Sequence, residues 1–74
     1  MEKTDQLKTI LANYWHMSPD VIDWETQFDS RHLKNFSSLR MLRFLASVEE
    51  HFTITINDVD AIRKFDDLRK VIAA

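Results

Sequence analysis

Two adjacent serines, Ser37 and Ser38, stand in the stretch KNFSSLRMLRF, directly before a run of alternating apolar and basic residues. A hydroxyl at a helix start can do two different things. It can cap, accepting a hydrogen bond from one of the N–H groups that every helix leaves unpaired at its N-terminus. It can also carry a covalent group, because a phosphate ester on a first-turn serine meets those same N–H groups and the positive end of the helix dipole. Nucleophilic catalysis by either serine would need a base, and no nucleophile, base and acid constellation is readable. The chain has no Cys, so it has neither a thiolate nor a disulfide frame.

Other chemistry-bearing residues are dispersed. His16, His32 and His51 lie far apart, without the close His or Cys neighbours of a zinc site, and read as solvated surface histidines; no metal is expected. The series Asp23, Glu25, Asp29 has the alternation of a calcium loop but lacks the mid-loop Gly and the terminal bidentate Glu. The aromatic set Trp15, Trp24, Phe28, Phe44 and Phe52 reads as core. Net charge is −2 and unevenly spread: between Ser30 and Val48 lie Arg31, Lys34, Arg40 and Arg43 with no acid at all. Four cations in a net acidic domain neutralise few phosphates, so no nucleic-acid partner is expected.

The elements that must position these residues follow from periodicity. At 74 residues, 45% hydrophobic, with no Gly and one Pro, the chain predicts one all-α domain spanning 1–74, too small to enclose a deep active site. Leu7, Ile10, Leu11 and Tyr14 mark a first helix over about Thr4 to Trp15, with Thr4 or Asp5 as cap. Pro19 stops it, and a long connection runs from Ser18 to Ser37, pinned by Val21, Ile22, Trp24, Phe28 and Leu33. Within it SPDVI has the signature of one helical turn, Ser18 capping and Pro19 at the first position. A second helix starts at Ser37 or Ser38 and ends near Phe52, with Met41, Leu42, Leu45, Val48 and Phe52 inward and Arg40, Arg43, Ser47 and Glu50 outward. TITIN is too short to build a sheet, so Ile54 and Ile56 should plug the core from a loop. Asn57 should cap a short piece, DVDAI, before a last helix over about Phe65 to Ala73, its acids in the first turn and its bases later as the dipole favours. The expectation is three main helices plus one short one, with a long loop between the first two. No apolar run approaches the roughly 20 residues of a membrane span, and no signal-peptide pattern opens the chain, so a soluble, cytoplasmic, monomeric protein is expected.

On these residues the sequence resembles the acyl carrier protein family. TILANYWHMSPDVIDWETQFD is similar to the family's first helix and loop, SSLRMLRFLASVEEHFTITI to its prosthetic-group motif and second helix, and FDDLRKVI to its last helix. The resemblance covers nearly the whole chain in the family's order. It implies a bundle of three principal helices and a short one around an acyl pocket. It also implies a non-enzymatic carrier, on which a phosphopantetheinyl transferase attaches 4′-phosphopantetheine to Ser38, so that the cofactor's thiol holds an acyl intermediate as a thioester. Acyl-loading and acyl-transferring enzymes of a specialised fatty-acid, polyketide or related pathway would then be its partners.

Carried over residue by residue, the resemblance makes Ser38 the modified position, Ser37 the cap in place of the usual Asp, and Leu39 the Leu that follows. Asn35 occupies the usual Gly position, and Asn tolerates left-handed geometry. Leu42, Leu45, Val48, Phe52, Ile54, Ile62 and Leu68 would form the core or acyl pocket. Arg40 and Arg43, with Arg31 and Lys34, would form a partner face whose charge is reversed from the family's acidic one, favouring acidic or apolar partners. Lys64 replaces the usual capping Thr of the last helix. A peptidyl or D-alanyl carrier, and a carrier-fold interaction module without the prosthetic group, are the other functions this pattern leaves open.

Overall fold

Pro19, the serines at 18 and 37 and the three apolar stripes divide the chain as the sequence implies. A computed structural model describes residues 2–73, and among these it holds three α-helices and no named strand. Helix α1 spans Lys3–Trp15, α2 spans Ser38–Phe52 and α3 spans Phe65–Ala73; single 3-10 turns occupy Pro19–Val21 and Val59–Ala61. Both short pieces therefore form, one more than the single minor helix expected.

The helices meet through one core. Leu7, Leu11 and Trp15 of α1, Met41, Phe44, Leu45 and Val48 of α2, and Phe65, Leu68 and Ile72 of α3 are buried together with Leu33 and Ile62. At its centre is an aromatic cluster: Trp15 lies 5.6 Å from Phe44 and 5.8 Å from Phe36, and Phe28 lies 5.0 Å from Phe65 and 6.0 Å from Phe44. Tilted and stacked ring contacts of this kind add to the area each ring buries. The aromatic set thus reads correctly as core, although Trp24, Phe28 and Phe52 are only partly buried.

The long connection is held by backbone pairing as well as by apolar side chains. Phe28 N–H donates to the Arg63 carbonyl at 2.9 Å and Phe65 N–H to that of Thr26 at 2.9 Å, around an isolated antiparallel bridge between Gln27 and Lys64. Asp66 N–H donates to the Trp24 carbonyl at 2.9 Å, and Lys64 Nζ reaches Glu25 at 2.8 Å. The loop thereby supplies acceptors to N–H groups that the start of α3 would otherwise leave unpaired. Ile22, Trp24 and Phe28 pack on the core and Leu33 is buried within it, but Val21 is 63% exposed and pins nothing. Asp23 and Asp29 are turn formers: Asp23 Oδ1 accepts from Glu25 N–H at 2.9 Å, and Asp29 Oδ1 from the N–H groups of Arg31 and His32 at 3.0 Å each.

Three caps differ from expectation. Glu2, not Thr4 or Asp5, stands at the N-cap of α1, and its side chain makes no capping bond. Asp58, not Asn57, precedes the Val59–Ala61 turn. At α3 the lost capping Thr is compensated from inside the helix: Asp67 Oδ2 accepts from the N–H groups of Lys64 and Arg63 at 3.2 and 3.0 Å, the reaching-back half of a capping box. Asp66, buried, binds Arg69 through Nε at 2.7 Å and Lys70 at 3.3 Å, and the guanidinium hydrogen bond, ahead of the lysine, holds its carboxyl below the usual carboxylate range.

Without any Gly, the left-handed backbone positions fall to other residues. Among the described residues they are His16 at φ 56°, Asn35 at φ 57° and Thr53 at φ 54°. His16 and Thr53 end α1 and α2. Asn35 turns the chain into the serine pair, as its resemblance to the Gly position implies. TITIN remains a loop, with Ile54 and Ile56 packed on the core and Ile56 N–H donating to Glu49 Oε2 at 2.8 Å.

Candidate functional site at the start of helix α2

The two serines separate by backbone conformation. Ser37 is extended, at φ −151° and ψ 161°, which folds its hydroxyl back over the helix to accept from Arg40 N–H at 3.1 Å. Ser38 is the first helical residue and is exposed; among the described residues its hydroxyl has no partner. Ser37 Oγ takes the Arg40 N–H and the Ser37 carbonyl takes that of Met41 at 2.9 Å. That leaves the N–H groups of Ser38 and Leu39 at the positive end of the helix beside a free hydroxyl.

Ser38 sits on the wall of an open cleft of about 590 Å³. Phe28, Phe36, Met41, Leu42, Val59 and Ile62 give it an apolar lining, and Gln27, Asp29, Asp60 and Arg63 add polar groups. Three elements build it: the Gln27–Asp29 part of the long loop, the first turns of α2, and the Val59–Arg63 segment. Of the residues expected at an acyl pocket, Leu42 and Ile62 line this cleft, whereas Leu45, Val48 and Leu68 are interior core and Phe52 and Ile54 pack against it. Leu42 is 53% exposed and belongs to the rim, not to the core. Val59, Asp60 and Arg63 carry no local signal of this role in the sequence, because only the tertiary path brings them to α2.

The basic residues also divide. Arg40 does not point away as the helical period suggests. Its guanidinium lies 5.4 Å from the Tyr14 ring centre and 5.5 Å from that of Trp15, and it donates to the Tyr14 carbonyl at 3.4 Å while Tyr14 Oη donates to the Arg40 carbonyl at 3.0 Å. The physical reason is the end of α1, which has no base in its last turn, so its carbonyls and negative dipole end draw a cation from α2. Arg40 is therefore an anchor between helices and not part of a docking face. Arg31, Lys34 and Arg43 are exposed, and among the described residues their side chains have no hydrogen bond or ion pair.

The histidines do not gather. His16 ends α1, His51 stacks edge-on against Phe52 at 4.8 Å, and His32 Nδ1 lies 2.7 Å from Asp29 Oδ1, a contact that lowers the Asp29 carboxyl. Among the described residues no three His, Asp or Glu side chains converge on a point that could hold a metal ion, and no helix is long and apolar enough to cross a membrane. No family model, no curated protein and no solved structure matches the chain.

Proposed function

We propose that the chain is a carrier that holds acyl intermediates as thioesters on a 4′-phosphopantetheine arm attached to Ser38. The observation that carries this reading is the free, exposed Ser38 hydroxyl on the first turn of α2, at the wall of a half-apolar cleft of about 590 Å³. The acyl-carrier resemblance of the residues around it supports the same reading.

The residues present fit the group. In the attachment step Ser38 Oγ forms a bond to phosphorus of an activated pantetheine phosphate, the bond to the leaving phosphate breaks, and the hydroxyl proton passes to a base of the transferase. The N–H groups of Ser38 and Leu39, left unpaired at the helix start, would be available to a phosphodiester carried there. Ser37 keeps the first turn closed but adds no negative charge, so the anion meets the helix dipole unopposed. Once bound, the arm supplies the thiol that a chain without Cys lacks. Phe28, Phe36, Leu42 and Ile62 offer an apolar wall to arm and cargo, and burial there shields the cargo from water. The chain in this reading is a cytoplasmic substrate of enzymes rather than an enzyme.

Co-expression with a broad-specificity phosphopantetheinyl transferase, followed by intact-mass measurement, tests the reading. The expected result is a gain of one phosphopantetheine that disappears in Ser38→Ala and persists in Ser37→Ala. A folded protein that gains no mass, or a gain that survives Ser38→Ala, overturns it.

A further inference from the structure

We infer that the outward face of α2, centred on Leu39, Leu42 and Arg43, docks an acidic protein surface with an apolar recess, and that this is the surface presented by the enzymes that serve Ser38. The inference rests on the carrier reading and specifies its partners.

Among the described residues the large apolar side chains left exposed are Val21, Leu39 and Leu42, and the two leucines, 58% and 53% exposed, stand one turn apart on the same helix. Residues three and four apart share a helix face, so Leu39, Leu42, Arg43 and the exposed Ala46 form one strip beside Ser38. Among the described residues no element covers it. An apolar strip of this kind is the usual centre of a docking patch, and the charges at its rim choose the partner.

On α2 before Glu49 and on the segment 30–37 that leads into it those charges are all positive, while Asp29 and Asp60 stand across the cleft. Helix α2 has no acid in its first turn and none before Glu49. Arg43 is free on the strip, and Lys34 and Arg31 are free on the loop that leads into it. Of the other cations, Lys64 pairs with Glu25, Arg69 and Lys70 pair with Asp66, and Arg40 lies over the rings of α1, while Lys3 and Lys8 make no ion pair among the described residues but stand on α1, away from this strip. The positive helix end adds to the same field. A basic counter-surface would be repelled, while an acidic one gains steering and register. An anionic membrane or nucleic acid would present the same sign, but three free cations on this face of a chain of net charge −2 give such a polyanion little purchase.

The test compares two forms of a broad-specificity phosphopantetheinyl transferase, one with a basic carrier-docking surface and one in which those basic residues are replaced by Glu, measuring kcat/KM for modification of Ser38. The protein should prefer the acidic transferase by roughly tenfold or more at low salt, with the preference collapsing at about 0.5 M salt. The double variant Lys34→Glu, Arg43→Glu should reverse the preference, and Leu42→Ser should lower kcat/KM for both forms. Lys34, Leu42 and Arg43 are exposed, so circular dichroism should find each variant folded. Equal rates with both transferases, unmoved by the charge reversal, overturn the inference and leave the carrier reading standing. Absence of modification of the folded protein by either transferase overturns both. Co-sedimentation with phosphatidylglycerol vesicles that is lost in Leu42→Ser overturns the assignment to a protein partner.

Discussion

Replacing Ser37 and Ser38 one at a time separates structure from chemistry within two adjacent, chemically identical residues. Ser37→Ala removes the acceptor that Arg40 N–H uses at 3.1 Å and returns that N–H to water or leaves it unpaired. Loss of such a cap costs about 1 kcal/mol, within a range of roughly 0.5 to 2. The unfolding entropy of a domain is about 2.1 cal/mol/K per residue near 60 °C. Over 74 residues that sums to roughly 160 cal/mol/K, so 1 kcal/mol lowers Tm by about 6 °C. With a urea dependence near 1 kcal/mol/M, as suits so small a domain, the midpoint falls by roughly 1 M. Ser37→Asp keeps the acceptor and places a charge at the positive helix end, where α2 has no acid, so its Tm should equal or exceed that of the parent.

Ser38→Ala should do none of this. Its hydroxyl is exposed and unpartnered among the described residues, and Ala is a good first-turn residue, so stability should stay within about 0.5 kcal/mol of the parent. Thermal and urea unfolding followed by circular dichroism at 222 nm give both numbers on the same samples. A Ser38→Ala loss as large as that of Ser37→Ala, or a Ser37→Ala loss below about 0.3 kcal/mol, would refute the division of roles.

Arg40→Ala should destabilise by about 1 to 2 kcal/mol in urea titrations, because it loses two ring contacts and a carbonyl hydrogen bond, partly offset by removing a buried Nε that has no protein partner. Arg43→Ala should stay within about 0.5 kcal/mol, and the opposite order would show that Arg43 is the anchor. The Asp66 carboxyl is held below its ordinary 3.8 by Arg69 and then Lys70, so between its folded value and 3.8 the unfolded chain binds more protons and stability rises with pH. The Tm gap between the parent and Asp66→Asn should therefore be complete at neutral pH and close as pH falls below about 3.8; a gap that persists in acid removes the ion pairs as its cause. Thr53→Gly relieves a β-branched residue at φ 54°, worth about 1 to 2 kcal/mol, against an unfolded-state entropy cost of about 0.4 to 1, and should raise the urea midpoint; a fall would place the strain elsewhere.

Local features carried far in the sequence, and contacts between distant segments did not. The stripe from Leu7 to Tyr14, the turn at Ser18 and Pro19 and the Ser37 cap are each set within a few residues and were legible there, and the left-handed Asn35 was foreseen only through the family resemblance. The exchange between Thr26, Phe28, Arg63 and Phe65 joins segments more than thirty positions apart, and nothing in either one announces the other. Arg40 shows a subtler limit. Its position on α2 is polar by period, yet its direction is decided by the unsatisfied end of α1 and by two aromatic rings, so a helical wheel of α2 alone sends it to solvent. At Lys64 the missing cap could have been foreseen, since Asp67 stands at the spacing from which a carboxylate reaches back. The cleft was legible only in part, because Leu42 and Ile62 are signalled by hydrophobicity while Val59, Asp60 and Arg63 reach α2 through the tertiary path of an irregular segment.

The first two turns of α2 resolve into two interleaved sets with the same spacing. Ser37, Arg40, Met41 and Phe44 face inward or cap, tying the helix to its own N–H groups, to the end of α1 and to the aromatic core. Leu39, Leu42, Arg43 and Ala46 face outward, and Ser38 stands between the sets, helical in backbone and free in side chain. If Ser38 is the tether proposed above, substitutions in the inward set would change how firmly it is held, and those in the outward set which surface can reach it. Because the two sets share no residue, charge on the outward face can be reversed without loosening the anchorage of Ser38, so that in the proposed carrier partner choice would vary while the cleft and its serine stay in place.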